Sequence, residues 1–233
     1  MKFSIVIPCY NEAQNLPLLL ERFRQALQQR KDIEIILVNN GSVDDSAGVL
    51  EKLLPNYFFA RVVTVKENQG YGFGILQGLQ QAHGEWVGWT HADLQTDPAD
   101  VIRAVEIAAG ISGKVFIKGS RKGRPLWDNL FTWGMGIFES CLMGQALWDI
   151  NAQPNLFSRE LLDRWGQPPY DFSLDLFALY EAKKQGFRTV RFPVRFPQRI
   201  YGTSHWNTGL KAKWKFIKRT LIFSWKLKKG LQK

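Results

Sequence analysis

Three side chains able to bind a metal stand at alternate positions in mid-chain: His91, Asp93 and Gln95, in the run Trp89-Thr-His-Ala-Asp-Leu-Gln-Thr-Asp97-Pro98. An imidazole, a carboxylate and an amide oxygen at that spacing suit a divalent cation, Mn2+ or Mg2+, and the histidine tilts the set toward manganese. A cation held there can bridge a pyrophosphate, which points to nucleotide-sugar chemistry. The plain alternative for His91 is a residue that merely ends a strand. Arg121 and Arg199 carry planar guanidinium forks that match phosphate oxygens bidentately, or else they form surface salt bridges. Asp149 and Asp175 are the carboxylates available as a catalytic base, with a helix cap or an ion pair as the competing role. Tyr10 closes an apolar run and can flank a nucleobase or ribose, while Glu12 can accept hydrogen bonds from either.

The elements that must carry these residues follow from periodicity. Residues 85–90 form an apolar, tryptophan-containing stretch that reads as a buried strand, and Asp97-Pro98 is an N-cap and first-turn pair for a helix from about Ala99. The three donors therefore fall where a central strand ends, the edge at which open α/β sheets bind ligands. Residues 4–8, 33–38 and 60–65 read as further strands. Helices are expected at 14–29, where Leu16, Leu19, Leu20, Phe23 and Leu27 recur at helical spacing, at 46–54 and at 72–82. This alternation implies parallel strands joined by right-handed crossovers. Beyond it, 115–117 and 189–196 read as strands, the latter an edge strand because of Pro193. Residues 126–142, 158–165 and 174–185 read as helices. Gly70, Gly72, Gly74 and Gly78 either let the backbone approach a phosphate or let a helix press on the sheet.

At 233 residues and 45% hydrophobic content, the chain can bury one full core. Its net charge of +10 is concentrated at one end, since nine of the 31 Lys and Arg lie after Arg199 and none of the 21 acids does. A uniformly basic nucleic-acid binder would not be patterned this way, and no nucleic acid is expected as a partner. Cys9 and Cys141 read as reduced, buried thiols. Met1 leads directly into strand-like sequence, no apolar run approaches a membrane span, and a cytoplasmic protein peripheral to the membrane's cytoplasmic face is expected.

Several of these runs together carry a family resemblance. Ile7-Pro8-Cys9-Tyr10-Asn11-Glu12, Val38-Asn39-Asn40-Gly41-Ser42, Asn68-x-Gly70-x-Gly72 and His91-Ala92-Asp93 occur in the order seen in inverting family 2 glycosyltransferases. Gly119-Ser120-Arg121 and Arg199-x-x-Gly202-x-Ser204 further resemble the polyprenyl-phosphate branch, typified by dolichyl-phosphate mannose synthase. The resemblance covers residues 3–207. It implies an α/β fold of GT-A type, a Rossmann-like and mostly parallel central sheet flanked by helices, over residues 1–207. It implies a nucleotide-sugar pocket lined by Pro8, Tyr10, Glu12, Val38, Asn40, His91, Ala92, Asp93, Gln95, Arg199 and His205. Arg121 would meet the acceptor phosphate and Arg199 the donor diphosphate. His205 stands where relatives carry a lysine, and Asp175 resembles the usual catalytic aspartate through its spacing to Gly186. Asp149 either positions the acceptor or holds Arg121. Two departures matter. Asn40 replaces an aspartate that touches the base, so it offers a donor as well as an acceptor unless it merely makes an Asn-Gly turn. His91 replaces the first aspartate of Asp-x-Asp and removes one negative charge from the cation site.

Residues 208–233 form a basic, amphipathic tail. On a helical projection Trp214, Ile217, Leu221 and Trp225 share a stripe beside Lys211, Lys215, Lys218, Arg219, Lys226 and Lys229. Cations beside interfacial tryptophans suit an anionic membrane surface. The helix carrying Trp127 and Trp133 is a second candidate contact, and both helices otherwise pack on the body. The expected function is transfer of a sugar from a nucleotide-sugar to a polyprenyl phosphate or lipid-linked sugar, with a divalent metal. The rival is a catalytically idle nucleotide-binding subunit of a membrane complex, which Asn40 and His91 keep open.

Overall fold

A computed structural model describes residues 1–123, 126–197, 199–201 and 210–229, with backbone only at 126–129, 131 and 210–217. The strands are β1 (Phe3–Cys9), β2 (Ile33–Asn40), β3 (Ala60–Val65), β4 (Trp86–Trp89), β5 (Val115–Lys122), β6 (Asn155–Ser158) and β7 (Arg188–Arg195). The helices are α1 (Leu16–Leu27), α2 (Ser46–Leu53), α3 (Tyr71–Gln80), α4 (Pro98–Gly110), α5 (Leu126–Met143), α6 (Arg159–Leu162), α7 (Leu174–Lys184) and α8 (Leu210–Lys228).

The strands form one sheet in the order β3-β2-β1-β4-β6-β5-β7. After β1 the chain adds β2 and β3 on one side, then crosses to place β4 on the other. The carboxyl ends of β1 and β4 thus flank a switch point, where the chain ends diverge and leave a crevice. All pairings are parallel except those of β6, which runs antiparallel to β4 and β5. That reversal has a consequence for the site. The start of β6, at Asn155, lies opposite Trp89 and Lys118, so it reaches the same edge at which β4 ends.

Alternation along the strands feeds two cores. Ile5, Ile7, Ile35 and Leu37 point into a layer with Leu16, Leu20 and Phe23 of α1 and Val101 and Val105 of α4. Val6, Ile36, Val38, Val87 and Trp89 point the other way, against Ile75 and Leu79 of α3 and Leu174, Ala178 and Leu179 of α7. Each such aliphatic side chain contributes about 1.5–3 kcal/mol on full burial. Asp97 caps α4 as expected, its side chain accepting the Ala99 N–H, with Pro98 in the first turn. β7 is an edge strand, as Pro193 implies.

Three expectations need correction. The helix expected over 158–165 is only the single turn α6, and a strand that was not expected, β6, precedes it at 155–158. β5 runs to Lys122 rather than stopping at Ile117, because its parallel partner β7 continues alongside it. Cys141 is exposed on α5, while Cys9 is buried as expected and both thiols are free.

Candidate active site

The loop after β1 is laced to the loop after β2. Asn11 N–H donates to Ser42 Oγ (3.1 Å), Glu12 N–H to Ser46 Oγ (3.0 Å), and Val43 N–H to Asn11 Oδ1 (2.9 Å). Asn11 takes a left-handed backbone (φ 58°), which turns the chain sharply off the strand. Tyr10 is left exposed and Pro8 half-buried. The Glu12 carboxyl accepts from Asn15 Nδ2 (2.5 Å) and is pushed up by burial. The charges of Asp93 and Asp44 add to that push, while Arg199 and the Asn15 bond oppose it, so Glu12 shares a field with the Asp93 region. Val38 and Ala92 lie in the core. Asn40 is buried beneath α3, where its Nδ2 donates to Gly70 O (2.9 Å) and its Oδ1 has no partner among the described residues.

At the end of β4 the chain folds back on itself. Leu94 is left-handed (φ 59°) and buried, and Gln95 N–H returns to Asp93 Oδ1 (3.1 Å). Such a backbone costs on the order of 1–3 kcal/mol and persists where the surroundings hold it. Asp93 is only 4% exposed. Its Oδ2 pairs with Arg199 Nη2 (2.9 Å), while Gln95 Oε1 accepts from Arg199 Nε (3.2 Å) and Gln95 Nε2 donates to Pro197 O (2.9 Å). The two oxygens expected to ligate a metal therefore converge on one positive group. A carboxylate and an amide oxygen are hard donors of the kind a divalent cation takes, and here both are engaged by Arg199. His91 has a different partner, its Nε2 lying 3.1 Å from Tyr71 Oη. Among the described residues, no group of three or more His, Cys, Asp and Glu could hold a metal ion.

Asp175, in the first turn of α7, is 2% exposed. Its Oδ1 accepts from Trp89 Nε1 (3.1 Å), Gln153 Nε2 (2.9 Å) and Asn155 Nδ2 (2.9 Å). Gln153 also reaches Tyr71 Oη (3.3 Å), whose phenol is raised well above its ordinary range by burial and then by the charges of Asp175 and Asp93. Lys118 is buried below this hub, donating to Ala152 O (2.7 Å) and Asn155 Oδ1 (2.5 Å). Burial brings its amine down to about 7, against the opposing pull of Asp175. Tyr71, Lys118, Gln153 and Asn155 are functional candidates that sequence reasoning missed. One signal was visible: a lysine continuing the apolar run Val-Phe-Ile just before Gly119.

Arg121 and Asp149 form a second pair. Arg121 Nη2 and Nε meet Asp149 Oδ1 at 2.5 and 2.7 Å, and the Arg121 N–H donates to Oδ2 (2.8 Å). Burial disfavours the Asp149 charge, but Arg121 outweighs it and holds the carboxyl below its ordinary range. Arg191 stands beside them, donating to Gly119 O (3.3 Å) and stacking over Trp148 at 5.8 Å. Burial lowers it to about 10, with Asp149 opposing. A cleft of about 270 Å³ opens here, lined by Ser120, Arg121, Lys122, Thr132, Trp133, Trp148 and Asp149. Its two tryptophans are 62% and 57% exposed.

α5 and α8 pack together beside that cleft. Leu130, Ile137 and Phe138 of α5 and Ile222 and Trp225 of α8 are exposed, as are Lys218, Lys226, Lys228 and Lys229. Lys229 lies over the Trp225 ring at 4.0 Å. Glu139 is buried on α5 with no hydrogen-bond partner for its carboxylate among the described residues, and burial raises its carboxyl above the ordinary range. Arg219 ties α8 to the body through Asp171 (3.1 Å) and the face of Phe172 (5.5 Å). No helix among the described residues is long and apolar enough to cross a membrane. Gly202, Ser204 and His205 lie outside the described residues, as do the side chains of Trp127 and Trp214.

The structure thus gathers Glu12, Asp93, Gln95 and Arg199 at the β1–β4 crevice, joins His91 to Asp175 through Tyr71, and sets Arg121 with Asp149 at the end of β5. Solved structures share this architecture. A glucosyl-3-phosphoglycerate synthase from Mycobacterium tuberculosis, in complex with Mn2+, UDP and glucosyl-3-phosphoglycerate, superposes with TM-score 0.75 at 17% identity, covering 100% of this chain and 81% of that one. A mannosyltransferase from Pyrobaculum calidifontis in complex with GDP-Man and Mn2+ gives 0.66 at 22%, covering 86% and 58%. The fold is GT-A. In sequence, the chain is 30% identical over 213 residues to the undecaprenyl-phosphate 4-deoxy-4-formamido-L-arabinose transferase of Proteus mirabilis, covering 88% of this chain and 63% of that protein. It is 43% identical over 207 residues to the protein of the same name from Pectobacterium carotovorum, covering 88% and 62%. The chain therefore spans less than two thirds of the length of these curated relatives. The model of glycosyl transferase family 2 matches residues 4–137, the stretch that builds β1 to β5 and carries the β1 loop, Asp93 and Gln95, and to that family this chain belongs.

Proposed function

We propose that this chain transfers a sugar, with inversion, from a nucleotide-sugar to a polyprenyl phosphate at a membrane surface. The observation that carries the reading is the convergence of Asp93 Oδ2 and Gln95 Oε1 on the Arg199 guanidinium at the carboxyl edge of the sheet. An acidic and a neutral oxygen facing one cation make a seat for the charge that a donor diphosphate needs. Asp93 and Gln95 are the residues to hold a divalent metal, which when bound would neutralise that diphosphate as the leaving group's charge develops. Arg199 is the guanidinium that turns to the phosphate oxygens. Tyr10 and Glu12 flank the nucleoside.

The acceptor class is taken from the named relatives and from the cleft beside Arg121. Among the described residues lining the cleft Asp149 is the one acid, beside Arg121, Lys122 and the nearby Arg191, so an anion gains by entering, while Trp133 and Trp148 offer apolar walls for a prenyl chain. An acceptor phosphate is already ionised near neutrality, so it needs little help from a base. Its oxygen attacks the anomeric carbon, the bond from that carbon to the diphosphate oxygen breaks, and the electron pair leaves with the nucleoside diphosphate. Asp149 then holds Arg121 in place, and Asp175 acts from beneath the site. Residues 208–233 and the exposed face of α5 supply membrane contact, peripheral to the bilayer.

The test is a screen of UDP- and GDP-linked sugars against undecaprenyl phosphate, with Mg2+, Mn2+ or EDTA, scoring label that partitions into organic solvent. Transfer that falls at least about 100-fold in Asp93→Ala and in Arg121→Ala is expected, the loss typical of removing a group that stabilises the transition state. Nucleotide binding with no transfer from any donor would instead support an idle nucleotide-binding subunit.

A further inference from the structure

We infer that Tyr71 is a positioning residue, which holds the His91 imidazole at the carboxyl end of β4 so that Nδ1 is the nitrogen presented to the donor. The inference deepens the proposed reading and rests on it for the donor and the kinetic test, while the placement of the imidazole does not.

A histidine at a strand end has two free side-chain torsions and two dissimilar ring nitrogens. What it offers a ligand depends on which nitrogen is already engaged. Here Nε2 lies 3.1 Å from Tyr71 Oη and the two rings meet edge to face, 5.6 Å apart at 87°. Nδ1 has no partner among the described residues. Whichever atom supplies the hydrogen, the contact ties Nε2 inward and leaves Nδ1 for a ligand.

Tyr71 is itself fixed from several sides. Its ring stacks on Phe172 (4.6 Å, 10°), and Phe172 carries the Arg219 guanidinium on its face at 5.5 Å. Its hydroxyl receives Gln153 Nε2 at 3.3 Å, and the same amide donates to Asp175 Oδ1 at 2.9 Å. The start of α3 is clamped as well. Phe73 N–H donates to Tyr170 O (2.9 Å), and Gly70 (φ 117°) passes so near that carbonyl that a Cβ would overlap it. Tyr71 is thus a rigid strut between a buried carboxylate and an otherwise mobile imidazole. Through Gln153 and Tyr71, buried Asp175 is connected to the His91 ring.

Tyr71→Phe keeps the stacking and deletes only the hydroxyl. Turnover is expected to fall about tenfold, the weight of one hydrogen bond, with the melting temperature nearly unchanged. Tyr71→Phe combined with His91→Ala is expected to match His91→Ala alone, because a residue acting through another adds nothing once that other is gone. Additive losses, or an unaltered rate in Tyr71→Phe, overturn the inference. A second measurement needs no activity. The chain has three histidines, so the imidazole 15N resonances of His91 can be separated from those of His83 and His205. In ligand-free Tyr71→Phe the His91 nitrogens should shift while those of His83 stay, and unmoved His91 resonances would contradict the strut. Shifted resonances in a protein with no transfer activity would leave Tyr71's role standing and remove the proposed reaction.

Discussion

Asp149 shows how one carboxylate can order a cationic cleft. Arg121 closes on it through both side chain and backbone, and Arg191 lies close enough to feel its charge. Because its folded value lies below the ordinary 3.8, its stabilising effect is complete above that value and is lost as pH falls through the folded one. Asp149→Asn should cost about 1–3 kcal/mol at neutral pH and flatten the acid limb of stability measured by urea melts from pH 5 to 2. An acid limb identical to wild type would remove Asp149 from that role. Lys118 has the opposite sign. Its folded value is about 7 against an ordinary 10.5, so across that window the unfolded chain holds a proton the folded chain lacks, and stability rises with pH. Lys118→Met should abolish the rise between pH 7 and 9, and a persistent slope would assign it to another group. The residues proposed for a cation site were legible because Asp93 and Gln95 alternate just after a strand, and the structure brings both to Arg199. The sequence hid Tyr71, Gln153 and Asn155, which join the Asp175 hub through pairings distant in sequence: Asn155 to Asp175 across 20 positions, Gln153 to Asp175 across 22 and Gln153 to Tyr71 across 82.

At the level of elements, α3 is the piece that brings the sheet and the site into register. Gly78 lets it press against β1 and β2, where a Cβ would overlap the methyls of Val6 and Val38. Gly78→Ala should therefore destabilise the fold by about 1–3 kcal/mol in denaturant melts, and a neutral or stabilising result would mean the helix stands off the sheet. Of the two roles open to that glycine from sequence, packing is the one the geometry carries, and Gly74 behaves alike against the Asn40 amide. The first hundred residues were legible because their apolar periods are long and regular. β6 was not, because Asn155-Leu-Phe-Ser158 is too short to show a period and is fixed by partners on both sides, β4 and β5. Cys141 was misplaced for a related reason: an apolar helix was assumed to be a covered one, whereas α5 leaves Trp133, Ile137 and Phe138 exposed.

For the whole molecule, the apolar side chains of α5 and α8, the lysines beside them and the Arg121 cleft adjoin one another, while the β1–β4 crevice lies on the same sheet edge. Under the proposed function, this arrangement would let a lipid-borne phosphate reach the cleft from the surface its own chain occupies. Each lysine near an anionic bilayer contributes about 1 kcal/mol. The full chain should float with vesicles containing anionic lipid and much less with neutral ones, and Trp133→Ser with Trp225→Ser should weaken binding about tenfold or more. Equal recovery in the soluble fraction with both vesicle types would contradict the membrane reading. The central claim concerns Asp93, and calorimetry of UDP and GDP binding, with Mn2+ and with EDTA, tests it most directly. The account predicts binding that is at least about tenfold tighter with Mn2+ and that Asp93→Ala abolishes that gain. Equal affinity in EDTA, or an unchanged manganese effect in Asp93→Ala, would contradict it.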